Sequence, residues 1–384
     1  MTTDMQSRIL TRLRPGLPNR KSLRRSHPDG GSTLEIIPLE IVQEIAEYLL
    51  PEAKAALALA SRTMLYRFGT EALKLGLPSR YNLLLLLSKD GIWLQDILCP
   101  FCYVFHAPFP IPAWPSGPHT NTRACQTEKA DGKRKPWEQA ISSPWLPAHV
   151  TFNTVAAVMR CHRHNSTAYM PETLASSDKF EIGDCKVHCY HDFRIVNGHL
   201  LLKTEKLVLP CKGKAKTTNA FSQVQAILQI PQNEAWKLNE GCVHINFILG
   251  GHVVLNNQPE FDINAIQHTC ASSHAMPCFK CSWVGKRCVF YCWSCYTDYS
   301  LGFVDLPGNG GRVCVLTTWK DLGSGECIKN REWQSHCCKG WSFRHFPDGC
   351  SPCVPEVYMA FEEETNWGFY NPSICQSRLA DLAK

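Results

Sequence analysis

Two Cys-x-x-Cys pairs, Cys278/Cys281 and Cys292/Cys295, lie ten residues apart and form the strongest chemical pattern in the chain. Each pair can present two thiolates to one metal ion from a tight turn, and four thiolates complete the tetrahedral shell that zinc prefers. A shell filled by protein ligands leaves no position for a reactive water, so the zinc expected here is structural. Its binding free energy, roughly 10–16 kcal/mol in model fingers, would couple directly to folding. Cys270, His274 and Cys288 are near enough in sequence to replace one ligand. The same cysteines can also be read as buried residues of a strand pair, and Trp283 and Trp293 suit either arrangement.

Cys99-x-x-Cys102-x-x-x-His106 is a second candidate, with three ligands and no local fourth. Cys161, His162 or His164 can complete it only through the fold. Cys185 and Cys189 with His188 and His191, and Cys337-Cys338 with Cys350-x-x-Cys353, are looser groupings. The chain holds 21 cysteines, an odd count with uneven spacing, and its N-terminus lacks an apolar export segment. Reduced thiols in an intracellular protein, nuclear or cytoplasmic, are therefore expected. The sequence has no phosphate-cradling loop, no dinucleotide glycine fingerprint and no Gly-x-Ser-x-Gly elbow, so a non-catalytic role is expected.

The elements that must position these residues are partly legible. Ile37, Ile41, Val42, Ile45, Ala46 and Leu49 recur at three- and four-residue steps, which predicts a short helix opening at Pro38. The chain breaks at Pro51, and two further short helices are expected over 55–60 and 61–68. Leu83 to Leu87 belong to a buried helix bounded by charges. A helix is expected from about 148 to 163, with Phe152, Val155, Ala156 and Met159 on one face. Asn197-Gly198 predicts a two-residue hairpin turn between apolar strands. Further strands are expected at 243–249, 252–255 and 313–318. Trp341-Ser342-Phe343 reads as core, and Glu362-Glu363-Glu364 as solvated surface. No period of 20–50 residues marks a repeat array.

The run Pro38-Leu39-Glu40-Ile41, then Ile45, Leu49 and Leu57-Ala58-Leu59-Ala60-Ser61-Arg62, resembles the F-box of filamentous-fungal F-box proteins. Leu84–Asp90 leading into Cys99–His106, Cys292–Asp298 and Thr317–Gly323 are similar to elements that follow the F-box in that family. Ile37 replaces the usual leucine before Pro38. The resemblance runs with gaps from about residue 34 to 335. It implies a substrate-receptor subunit of a Skp–cullin–F-box ubiquitin ligase. Pro38, Leu39, Ile41, Ile45, Leu49 and Leu57 would then meet the Skp-type adaptor, and through it a cullin. The Cys-rich body would bind a protein target.

The fold class expected is α+β: a three-helix F-box-like module followed by a Cys-rich mixed α+β domain stabilised by zinc. The boundaries expected are a disordered basic leader (1–32), the helical module (33–78), a leucine-rich helix with the Cys-x-x-Cys-x-x-x-His element (79–106), a Pro-rich connector (107–147) and the Cys-rich domain (148–384). Of the net charge of +6, residues 1–30 supply +5. The remainder is nearly neutral, which argues against a zinc-dependent nucleic-acid binder. An adaptor-bound regulatory protein outside any ligase would present the same helical surface. No segment has the length of a membrane span.

Overall fold

The computed structural model describes residues 36–91, 94–99, 103–108, 141–143, 145–182, 185–210, 242, 289–292, 295–305, 312–337, 356–363, 378 and 382. The basic leader, most of the Pro-rich connector, the strands expected at 243–249 and 252–255, and Trp341-Ser342-Phe343 lie outside them. The chain divides into two compact units, residues 1–87 and 88–384.

The first unit is helical. Pro38 caps α1 (Leu39–Glu47), where its missing N–H costs nothing. Pro51 occupies the first position of α2 (Pro51–Ala60) for the same reason. Ser61 caps α3 (Arg62–Phe68), its hydroxyl accepting the Met64 N–H at 3.1 Å. Val42, Ala46, Ala55, Ala58 and Met64 are the buried residues of these helices. Arg67 on α3 donates to the Ile37 carbonyl at 2.9 Å and ties the module's start to its third helix. Asn82 of α4 (Leu77–Lys89) donates to Glu52 at 2.9 Å, linking α4 back to α2. Leu83 and Leu84 are buried, whereas Leu86 is exposed. Five consecutive leucines sweep a full turn of helix, so the run cannot be buried on every side.

The second unit is mixed α+β. A short hairpin, β1 (Ile97–Cys99) with β2 (Val104–His106), precedes α5 (Phe152–Arg163). Thr151 and Thr154 form a reciprocal capping box that fixes where α5 begins, four residues later than the sequence pattern suggests. Among the described residues, β3 (Ser176–Ile182), β4 (Cys185–Val196), β5 (His199–Pro210), β6 (Val289–Tyr291), β7 (Thr297–Asp305) and β8 (Arg312–Asp321) make one antiparallel sheet in the order β3-β4-β5-β8-β7-β6. Asn197 and Gly198 turn β4 into β5 with φ of 50° and 77°, the values a two-residue turn requires.

Both faces of the sheet are covered. Phe193, Leu200 and Leu202 pack against Phe152, Val155, Val158 and Met159 of α5 and against Trp333 of α6 (Arg331–Gln334). Phe152 and Trp333 meet edge to face at 5.6 Å. Gly325, at φ +67°, lies so close to α5 that a Cβ there would stand 2.9 Å from the Ala156 Cα. On the opposite face, Leu201, Val289 and Trp319 receive Val357, Tyr358 and Phe361 of α7 (Glu356–Glu362). Glu362 differs from the sequence expectation of solvated surface. It pairs with Lys203 at 2.7 Å and accepts the Trp319 indole N–H at 2.9 Å.

Candidate metal centre

Strands β6 and β7 are joined by the residues that carry Cys292 and Cys295. The antiparallel register ends with Tyr291 opposite Asp298, and the next backbone bond, Cys292 N–H to Thr297 carbonyl, is 2.8 Å. Thr297 N–H in turn reaches the Cys295 carbonyl at 2.9 Å, which closes a tight knuckle. The Cys295 sulfur lies 3.4 Å from the Thr297 hydroxyl. This local architecture follows from a two-residue spacer at a hairpin turn, the geometry that points two cysteine side chains at one place.

A third sulfur completes the cluster. Cys242 belongs to a segment 50 residues upstream, and its Sγ, with those of Cys292 and Cys295, forms a set in which all lie within 4.8 Å of one another. All three residues are buried, and all three thiols are free of disulfides. Tetrahedral zinc with Zn–S bonds of about 2.3 Å holds its sulfurs about 3.8 Å apart, so the set is compatible with three vertices of such a shell. Hydrogen bonding with Cys242 and Cys292, and then burial, hold the Cys295 thiol well above its ordinary pKa. Burial, followed by the neighbouring Cys292 and Cys242, raises the Tyr299 hydroxyl as well. A bound divalent cation inverts this situation, because it stabilises the thiolates that burial and mutual repulsion disfavour. The arrangement can therefore hold zinc through Cys242, Cys292 and Cys295.

No family model, curated protein or solved structure matches this chain. The site is consequently assigned from its own geometry.

The Cys-x-x-Cys spacing brings Cys292 and Cys295 together, and the structure gathers their sulfurs in one cluster. Cys278 and Cys281 lie outside the described residues. Cys242 was missed. Its flanks, Gly241 and Val243, carry no ligand spacing, so only the chain's long-range path reveals it.

At the second candidate, Cys102 lies outside the described residues. Register pairs Cys99 with Val104 and Ile97 with His106, placing Cys99 and His106 diagonally on one face of the β1–β2 hairpin. His106 Nδ1 is 2.6 Å from the Ala107 carbonyl oxygen, and the Cys161 thiol donates to the Leu94 carbonyl at 3.8 Å. Among the described residues, no third ligand atom gathers with Cys99 and His106. On β4, Cys185, Cys189 and His191 share the α5-side face and His188 takes the other. Cys189 Sγ stands 3.4 Å from His191 Nε2, whose ring is held from behind by the Thr204 hydroxyl at 3.1 Å. Burial, then the Lys206 ammonium, depress the His191 pKa to about 3, so this imidazole stays neutral.

The residues that the sequence suggests for adaptor contact divide by exposure. Pro38, Leu39, Ile41 and Ile45 are exposed, and Leu49 and Leu57 are half-buried. Ile41 and Ile45 sit one turn apart, with Tyr48 three residues further, forming an apolar line beside the buried Val42 and Ala46. Tyr48, Leu50 and Tyr66 add further exposed apolar surface to this unit. Among the described residues, no helix is long and apolar enough to cross a membrane.

Proposed function

We propose that this chain is the substrate-receptor subunit of a Skp–cullin–F-box ubiquitin ligase, with its helical unit as the adaptor-binding element. The observation that carries the reading is the exposure of Ile41 and Ile45, each 46% accessible, directly beside a core that buries Val42 and Ala46. Isoleucine on a helix of a small unit is normally spent on the core, and these two are not. An amphipathic helix offering i, i+4 and i+7 apolar positions suits the groove of a helical partner. The chain's part in ubiquitin transfer is then proximity: it holds a target near a charged conjugating enzyme and does no chemistry itself.

The Cys-rich unit, in this reading, is the target-binding body, and one structural zinc on Cys242, Cys292 and Cys295 closes it. Cys278 and Cys281 are the sequence candidates for the fourth position. Zinc there joins a segment 50 residues distant to the β6–β7 knuckle, a crosslink of the kind a disulfide supplies in oxidising compartments.

Co-purification with the host's Skp-type adaptor tests the first proposal, using an Ile41→Asp/Ile45→Asp variant as the comparison. Both positions are exposed, so the variant keeps its helical circular dichroism and loses a stoichiometric adaptor. A folded wild-type chain that captures no adaptor overturns the ligase reading. Elemental analysis tests the second, with one zinc per chain expected. Less than about half a zinc in folded protein sinks the closed shell.

A further inference from the structure

The residues that follow the knuckle reach through to the other side of the sheet. Thr297, whose hydroxyl is 3.4 Å from the Cys295 sulfur, begins β7 on the α5-side face. Asp298, the next residue, points to the opposite face by strand alternation and is fully buried there. Its Oδ2 accepts the backbone N–H of Tyr358 at 2.9 Å, in the first turn of α7. Directly across from Asp298 in the β7–β8 register stands Trp319. The Trp319 ring meets Tyr358 edge to face at 5.0 Å, and its indole N–H holds Glu362 at the far end of the same helix.

We propose that occupancy of the three-thiol centre controls the docking of α7 on the opposite face of the sheet, with Asp298 as the coupling residue. This rests on the zinc reading given above. Metal fixes the Cys292–Cys295 turn, the turn fixes the first residues of β7, and Asp298 is thereby held where it can receive the first turn of α7. Without metal, three buried thiols crowd within 4.8 Å and the knuckle loses its central constraint. Asp298 then loses the position that makes its buried carboxylate tolerable, because a buried carboxylate is stable only with its hydrogen-bond donors in place. The helix is short, seven residues, and depends on such tertiary contacts rather than on its own propensity. The device makes α7 a reporter of metal loading.

Hydrogen exchange on the full-length chain tests this, comparing zinc-loaded protein with protein stripped by a chelator, with zinc measured in both. The amides of residues 356–362 are expected to exchange at least tenfold faster in stripped protein, while residues 185–210 keep their protection. Asp298→Ala, which removes the acceptor for the Tyr358 N–H, is expected to retain full zinc and yet show the fast α7 exchange in the loaded state; slow α7 exchange in this variant overturns the role of Asp298. A loaded chain whose α7 exchange is unchanged by stripping overturns the coupling and leaves the zinc reading intact. Loss of protection in both regions together overturns it as well, since the effect is then global unfolding. A chain that takes up no zinc overturns both readings.

Discussion

Lys203 Nζ lies 2.7 Å from Glu362 Oε1 and 3.2 Å from Glu205 Oε1, so one ammonium on β5 ties α7 to the sheet through Glu362 while pairing with Glu205 two residues along its own strand. Arg378 donates to Glu205 at 2.8 Å and to both oxygens of Asp192, at 3.0 and 3.1 Å, which extends the network along the same face. Exposed ion pairs are worth little, but Lys203, Glu205 and Glu362 are largely withdrawn from solvent, and removing one partner strands the other.

Glu362→Gln therefore removes the carboxylate that Lys203 and Trp319 share. A loss of about 2–3 kcal/mol is expected in urea unfolding of the second unit. A midpoint equal to that of the wild type would show that Glu205 alone satisfies Lys203.

Two histidines give opposite responses to pH. His199, with Nδ1 2.8 Å from Asp321 Oδ2, has a raised pKa because that carboxylate accepts a hydrogen bond from the ring N–H. Its stabilising contribution is complete below the unfolded value of about 6.5 and fades as pH rises through the folded value. His191 is the reverse. Held near 3 by burial and then by Lys206, it supports the fold fully above about pH 6.5, and that support falls by up to about 1.4 kcal/mol per unit as pH drops. Urea midpoints at pH 5 and pH 8 for wild type, His199→Gln and His191→Gln separate the two. Relative to wild type, His199→Gln should lose stability more at pH 5, and His191→Gln more at pH 8. Parallel losses at both pH values would refute the assignment.

Gly325→Ala puts a methyl group against the backbone of α5, 2.9 Å from Ala156 Cα and 3.0 Å from the Val155 carbonyl oxygen, at a positive φ. Neither neighbour is a side chain that can swing aside. A destabilisation of about 2–4 kcal/mol is expected, read as a drop in thermal midpoint. An Ala variant as stable as wild type would mean that the 323–326 loop can leave α5 without cost.

Ser61→Ala should cost about 1 kcal/mol in the first unit, because it removes the acceptor for the Met64 N–H at the start of α3. Helical circular dichroism during thermal unfolding reads the change. Adaptor capture by the variant should persist, since Ser61 is not among the exposed apolar residues of α1.

The parts of this fold that were legible in the sequence are those fixed by near neighbours. Asn197-Gly198 specified its hairpin because two adjacent residues must both accept positive φ. Pro38 marked a helix start because a missing N–H is harmless there, whereas Pro51, read as a break before a helix at 55–60, in fact opens that helix four residues earlier. The Cys292–Cys295 spacing specified a knuckle for the same local reason. Cys242 and Glu362 were not legible. Each acquires its role from a partner more than 40 residues away, Cys292 and Lys203 respectively, and no short-range pattern records such a meeting. The division of α1 also exceeded what periodicity can say. Ile41, Val42, Ile45 and Ala46 form one apolar stripe in the sequence, and only packing decided that Val42 and Ala46 turn inward while the isoleucines stay out.

The order β3-β4-β5-β8-β7-β6 has a consequence for synthesis. Strand β5 finds its second neighbour only in β8, and 102 positions separate Pro210 from Arg312. A ribosome adding about 5–20 residues each second needs about 5–20 s to cover that interval. Through that interval the β5 edge from Leu201 to Val208, which later pairs with β8, lacks this partner. The six-stranded sheet therefore closes only after Arg312–Asp321 has been made, and the last strand of the meander stays available to other pairing partners until then.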